Sequence, residues 1–390
     1  MATKTKKNRH TTKLSSRRPN IVAICIVLMI VAAGIVTLMI SKAATPLVAA
    51  EPEGGTLSAP ASVVRDTTAS GGNAVTFGAS RSKVTLGAAI QIGTINSNAT
   101  YRNTFLQNFS SLSAEWEMKM EPLQPQQGQF NFGTADAMVN FALTNGKQIR
   151  GHTTVWHVSN PGWLTGRSWT AATLDPVMKT HIQTVLAHFR GKVPVWDVVN
   201  EPFDDNGGWR QTVWYNALGP NYIANAFRYA HEADPTAKLF LNDYGVEWIN
   251  PKSTAMYNLV KNLKAQGVPI HGVGFQAHLE TEPGGWSPTR EEVQANVQRF
   301  ADLGVDVEFT ELDVKTSPTG GTTAQKLKAQ ANMYANIANA CQAVSRCTRI
   351  TVWGVDDGHT WLGAGEMPLM FNTSYQPKPA YTTVRNIIGY

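Results

Sequence analysis

Eight short apolar runs punctuate this chain of 390 residues, at 86–90, 112–116, 148–155, 193–199, 238–242, 272–276, 305–310 and 349–354. Each is too short for a helix and too continuous for a strand with one wet face; a strand covered on both sides reads this way. The stretches between them carry helical spacing. In one, Met178, Ile182, Val185 and Phe189 form an apolar stripe, with Asp175 and Pro176 placed to open the helix and Gly191 to close it. Residues 134–145 repeat the scheme, with Ala135, Met138, Val139 and Ala142 turned inward and Gly146 following. Strands alternating with helices eight times in one domain predict an α/β fold, a (β/α)₈ barrel over residues 83–390. No glycine-rich phosphate loop favours a doubly wound sheet instead.

In such a barrel the chemistry sits at the strands' C-terminal face, so the residues that end each run are the informative ones. The fourth run closes as Val195-Trp196-Asp197-Val198-Val199-Asn200-Glu201-Pro202, and Pro202, with no N–H to donate, stops the ladder beside Glu201. The seventh, Asp306-Val307-Glu308-Phe309-Thr310-Glu311-Leu312-Asp313, has the same form. Two strand-end carboxylates facing each other across a cleft are what glycoside hydrolysis needs. The other runs contribute Glu115 and Lys119, His152 and Trp156, Tyr244, Gln276 and His278, and Trp353 with Trp361 in the loop beyond. Side chains that bond hydroxyls, and indole faces that stack on pyranose rings, suit an oligosaccharide cleft. Taken singly, a strand-end glutamate is usually a solvated loop residue and a lone histidine a satisfied core residue, so the weight rests on the set.

Residues from about Leu86 to Tyr390 resemble glycoside hydrolase family 10, the endo-β-1,4-xylanases. The matching motifs are Arg150-Gly151-His152-Thr153 through Trp156-His157, Trp196 to Pro202, Asn242-Asp243-Tyr244, Gly272 to Leu279, Thr310 to Val314, Thr351 to Val355, and Pro368 to Tyr381. The resemblance implies retaining hydrolysis of xylan, with Glu201 as general acid/base and Glu311 as nucleophile. Retention requires one carboxyl protonated and the other ionised, about 5–5.5 Å apart. The resemblance further implies that His278 and Asp313 orient the nucleophile and that Asn200 bonds the sugar 2-hydroxyl. Lys119, His152, Trp156, Gln276, Trp353 and Trp361 would line the glycone side. Glu247, Glu280 and Glu282 match no catalytic position and read as loop charges. Three positions depart from the family pattern: Trp116 and Gly245 stand where asparagine is common, and Ser159 where glutamine is expected. They predict an altered glycone subsite. The chemistry calls for no metal or organic cofactor.

The N-terminal part has a different character. Eight of the 34 basic residues lie in residues 1–43, which contain no acid, leaving 26 basic residues against 28 acids in the remainder. The excess of positive charge belongs to a tail, and a nucleic-acid partner is not indicated. Residues 1–20 are basic, and residues 21–40 form an uncharged apolar run long enough to cross a bilayer. Within residues 21–43 the sequence predicts a cleaved signal or a retained membrane anchor, and either places the catalytic part outside the cell, secreted or tethered. Residues 44–82 are rich in Ala, Gly, Ser, Thr and Pro and read as a spacer with a possible hairpin; the stretch from Glu51 to Gly78 resembles the opening of some carbohydrate-binding modules. Cys341 and Cys347, an even pair outside the apolar run, suggest a disulfide, with two free buried thiols as the other reading.

The partner is then a β-1,4-linked polysaccharide, xylan first, and the protein is expected to be a monomer. Two other readings stay open: a glycanase for glucan or mixed-linkage chains, and a surface sugar-binding protein that has lost turnover.

Overall fold

The computed structural model describes residues 84–390 together with the backbone of 61–65 and 73–77. The apolar run at 21–40 and the rest of the N-terminal region lie outside the described residues. Among the described residues, no helix is long and apolar enough to cross a membrane. Ala61–Arg65 and Asn73–Phe77 pair antiparallel, Ala61 opposite Phe77 and Arg65 opposite Asn73, within a unit of their own, Met1–Ala79.

The second unit, Ser80–Tyr390, holds eight parallel strands. They are β1 (Thr85–Ile90), β2 (Ser111–Ala114), β3 (Gln148–Val155), β4 (Val195–Asn200), β5 (Lys238–Asp243), β6 (Gly272–Phe275), β7 (Asp306–Lys315) and β8 (Cys347–Val352). Each pairs with the next, and β8 pairs back onto β1, which closes the barrel and leaves none of these eight strands at an edge. All six residues of β4 are buried, as are five of six in β1, β5 and β8, the pattern of a sheet covered on both faces.

Outside the strands lies a layer of helices whose apolar stripes face inward. In Tyr222–Ala233 the stripe is Ile223, Ala226, Phe227 and Ala230, all buried. Gly133–Thr144 buries the expected Ala135, Met138, Val139 and Ala142. The helix expected to start at Asp175 begins earlier, as Ala171–Phe189, with Thr170 as its cap and Thr173 bonding back to the Thr170 backbone. Pro176 therefore sits in the second turn, on the exposed side. Asp175 caps nothing, because its carboxylate is taken by the hydroxyl of Tyr229 at 2.8 Å on the neighbouring helix. The stripe Met178, Ile182, Val185 and Phe189 is buried as the spacing predicts. Truncating any of the four to alanine costs about 2–5 kcal/mol by analogy with other large-to-small core changes.

Cys341, near the end of helix Thr323–Ala343, is disulfide-bonded to Cys347, the first residue of β8. The bond ties that helix to the strand it precedes.

The barrel interior carries charge as well as apolar bulk. Arg150 on β3 donates to Asp197 on β4 at 2.9 Å and to Glu308 on β7 at 2.6 Å. Because β3 and β7 are not neighbours, this second bond crosses the inside of the barrel. Arg349 on β8 lies 3.3 Å from the same Glu308, and Thr348 donates to its other oxygen at 3.0 Å. Every charge in this set has an opposite within reach, the condition under which buried ions are tolerated.

Candidate active site

Irregularities in the ladder aim the two carboxylates. Between β4 and β5 the register slips by one residue after Asp197, and Glu201, just past the strand, takes a left-handed backbone with φ 54°. That conformation costs about 1–3 kcal/mol for a residue with a side chain. It is held by the bond from the Glu201 amide to the Asn242 carbonyl at 2.8 Å. On β7 the slip falls between Phe309 and Leu312, where Thr310 and Glu311 together oppose the single residue Thr351 on β8. The first half of β7 pairs with β6, and its second half with a short strand, His278–Glu280. Such bulges re-aim side chains at barrel rims.

A ladder of side-chain amides joins the two acids. The Asn242 amide donates to Asn200 Oδ1 and to Glu311 Oε1, both at 2.8 Å, and Thr310 fixes its orientation by donating to Asn242 Oδ1 at 2.6 Å. Gln276 donates to Glu201 Oε1 at 3.0 Å and to Asn200 Oδ1 at 3.3 Å. Gly274 leaves the room, since a Cβ there would fall 2.0 Å from Asn242 Oδ1. Both carboxylates are nearly buried and line a single cleft of about 900 Å³.

Their electrostatic settings differ. Burial by itself would raise the Glu311 carboxyl, but the hydrogen bond from His278 at 3.2 Å and the charges of His152 and His278 bring it below the usual carboxylate range. Burial works against the His278 cation, yet Asp313, 3.0 Å from its Nδ1, and Glu311 on its Nε2 raise it well above an ordinary imidazole. The Trp361 indole N–H also donates to Asp313, at 2.8 Å. Glu201 faces two amides and the ring of His157, whose Nδ1 lies 3.6 Å from Oε2. Burial lowers His157 below its ordinary value despite the pull of Glu201.

The cleft walls collect most of the side chains expected from sequence: Glu115, Lys119, His152, Trp156, Tyr244, Gln276, His278, Trp353 and Trp361 all line it. Asn200 and Asp313 stand behind this lining as hydrogen-bond partners. Lys119 lies 4.8 Å from the Trp156 ring and 6.0 Å from that of Trp116. Burial lowers its ammonium below the usual range against the charges of Glu311, Glu115 and Glu201. The His152 ring is bonded to Asp197 at 3.0 Å, which connects the cleft floor to the charged barrel interior.

Two sequence readings need correction. Glu247 is not a loop charge: it is fully buried, and its Oε1 accepts the Ala277 N–H at 2.7 Å, holding the left-handed turn (φ 62°) that swings His278 toward Glu311. Glu280 lines the cleft beside Lys315, 3.6 Å away. The three departures from the family pattern fall at different places. Trp116 lines the cleft near Lys119, Ser159 is absent from the lining and bonds Glu121 through its carbonyl at 2.9 Å, and Gly245 lies against Trp286 beside Tyr244. The sequence reading gave His157 no role of its own and passed over Gln91, Trp286 and Lys315. Gln91 follows the first run directly, so the rule applied to the other strands would have found it. Trp286 and Lys315 carry no local signal.

With this geometry in hand, comparison with known proteins is decisive: the model of glycosyl hydrolase family 10 matches residues 77–387. The chain belongs to glycosyl hydrolase family 10. Among curated relatives, endo-1,4-beta-xylanase B of Thermotoga neapolitana is 40% identical over 293 residues, covering 74% of this chain and 83% of the relative. Native xylanase 10B from Thermotoga maritima superposes with a TM-score of 0.75 at 38% identity, covering 78% of this chain and 95% of that one. Xylanase 10B from Thermotoga petrophila RKU-1, solved in complex with xylobiose, gives the same TM-score and identity, with 78% and 94% covered. Family 10 membership agrees with the closed parallel barrel and with carboxylates placed after the fourth and within the seventh strand.

Proposed function

We propose that the chain hydrolyses internal β-1,4-xylosidic linkages of xylan with retention of anomeric configuration. The observation that carries the reading is the amide ladder Glu201–Gln276–Asn200–Asn242–Glu311, which holds two carboxylates of unlike electrostatic setting over one cleft. In the first step a Glu311 oxygen attacks the anomeric carbon as Glu201 gives its proton to the glycosidic oxygen; the C–O bond breaks and the leaving sugar departs with that proton. In the second, Glu201, now a carboxylate, takes a proton from water, whose oxygen displaces Glu311 from the anomeric carbon. The His278–Asp313 pair keeps Glu311 ionised for attack. Asn200 is assigned to the sugar 2-hydroxyl, a bond that strengthens as the transition state forms.

Reducing-sugar release from xylan, barley glucan and carboxymethyl cellulose, with Glu311→Ala as control, tests the assignment. Xylan is expected to be turned over fastest and the variant to be inactive. Equal release by wild type and variant would sink the catalytic assignment, and preference for glucan would move the substrate class. Proton NMR of early products should show the β-anomer first; an α-anomer excludes retention. The apolar run at 21–40 supports export of the catalytic unit, and recovery of full-length protein from the cytosol of its native host would count against that.

A further inference from the structure

The residue after Tyr244 is a glycine in the left-handed region, φ 65°, and a Cβ there would fall 2.7–2.8 Å from ring atoms of Trp286. The indole of Trp286 thus occupies space that any side chain at 245 would claim. Its carbonyl accepts the Glu280 N–H at 3.0 Å, and Trp248 meets its ring edge-on at 5.9 Å. The rings of Trp286 and Tyr244 lie within 25° of parallel with centroids 6.1 Å apart, and both line the cleft. An indole serving only to close its loop would turn away from the cleft. This one is half-buried and forms part of the wall.

The position of this wall relative to the acids assigns its side of the scissile bond. Arg210 donates to the Glu201 carbonyl at 3.1 Å and to the Tyr244 hydroxyl at 2.8 Å, so the Tyr244 wall is anchored to the residue that delivers the proton. The general acid protonates the leaving-group oxygen, and sugars beyond that oxygen run along the wall nearest to it. The opposite wall, with Lys119, Trp156 and Trp361, presents an ammonium and indoles close to the nucleophile's support.

We propose that Trp286, admitted by the glycine at 245, is a second stacking ring on the leaving-group side and, with Tyr244, holds two consecutive β-1,4-linked xylopyranosyl residues. The enzyme then favours cuts that release at least two sugars beyond the scissile bond. Ring faces recognise the apolar faces of unbranched pyranoses rather than individual hydroxyls. The proposal rests on the assignment of Glu201 as the acid.

The test compares kcat/KM for linear xylohexaose and for an aryl β-xylobioside, whose leaving group is not a sugar, using the full chain and its Trp286→Ala, Trp286→Phe and Gly245→Asn variants. On xylohexaose, Trp286→Ala and Gly245→Asn are expected to lose about tenfold, mostly in KM, as removal of a stacking contact made equally in ground and transition states requires. Trp286→Phe should recover part of the loss. On the aryl xylobioside the same variants should lose less than about threefold. Equal losses on both substrates would make Trp286 structural and overturn the proposal, as would no loss on either. Wild type inactive on both substrates would remove the reaction assignment and the stacking role with it, a result distinct from the other two.

Discussion

The barrel contains two sets of buried charge, one below the other, and they are built on opposite rules. In the lower set Arg150, Asp197, Glu308 and Arg349 neutralise one another across the barrel, and Asp197 is held below the usual carboxylate range because Arg150 outweighs its burial. In the upper set Glu201 and Glu311 are nearly buried too, but their carboxylates bond to amides and imidazoles, and among the described residues neither carboxylate forms an ion pair with an arginine or lysine. Asp197 and Glu311 are both held below the usual carboxylate range, Asp197 by an arginine and Glu311 by the imidazole of His278. The difference separates charges that hold the barrel from charges that act on substrate.

The largest consequence falls on the upper set. Glu311→Ala should lower kcat by about 10⁴–10⁶, the range for removal of a catalytic nucleophile, and should cost stability above the ordinary carboxylate range, where the depressed Glu311 carboxyl contributes. If the variant kept more than a hundredth of wild-type turnover, the contrast between the sets would lose its functional half. The lower set should respond in stability. Arg150→Met takes the arginine from Asp197 and leaves Glu308 with Arg349 alone, and is expected to cost about 3–5 kcal/mol in urea denaturation. A cost near zero would show that this network does not hold the barrel.

His278 lies on the boundary between the sets, since it acts on Glu311 through one nitrogen and pairs with Asp313 through the other. His278→Gln should reduce kcat on the order of 10², as loss of one oriented donor does. It should also move the acid limb of the kcat/KM profile to higher pH, because the cation that lowers Glu311 is gone. The stability signature has a defined sign. A histidine raised on folding stabilises fully below its unfolded value, and that contribution fades as pH rises through the folded value, so wild type should lose it on the alkaline side and the variant should not. Glu311 behaves oppositely: its contribution is present above the unfolded carboxylate value and fades as pH falls through the depressed one. Glu247→Gln should have the smallest effect. The amide oxygen can still accept the Ala277 N–H, so the change should stay within about 1 kcal/mol. Burial raises the Glu247 carboxyl, so wild type should lose stability as pH climbs above the ordinary glutamate range, a slope the variant should lack.

Much of this was legible without coordinates. Eight apolar runs announced the barrel because a strand covered on both faces needs apolar residues wherever it points, and this requirement is local. The catalytic candidates followed from one topological rule, that parallel barrels work at their strand ends, applied to the runs that close on Glu201 and carry Glu311. The helix around Pro176 was misplaced by five residues because Asp-Pro is an adequate start signal in isolation. Whether Asp175 caps the helix depends on Tyr229, a partner from another helix.

Burial pattern, strand count and the identity of the two acids were therefore properties of the chain read along its length. Side-chain direction was not. The turn at Ala277 held by Glu247, the amide of Asn242 shared between Asn200 and Glu311, and the indole of Trp286 over Gly245 each join residues far apart in sequence. Register slips and left-handed residues arise from how neighbouring strands pair, and a one-residue slip re-aims every group beyond it. Only the closed barrel fixes that pairing.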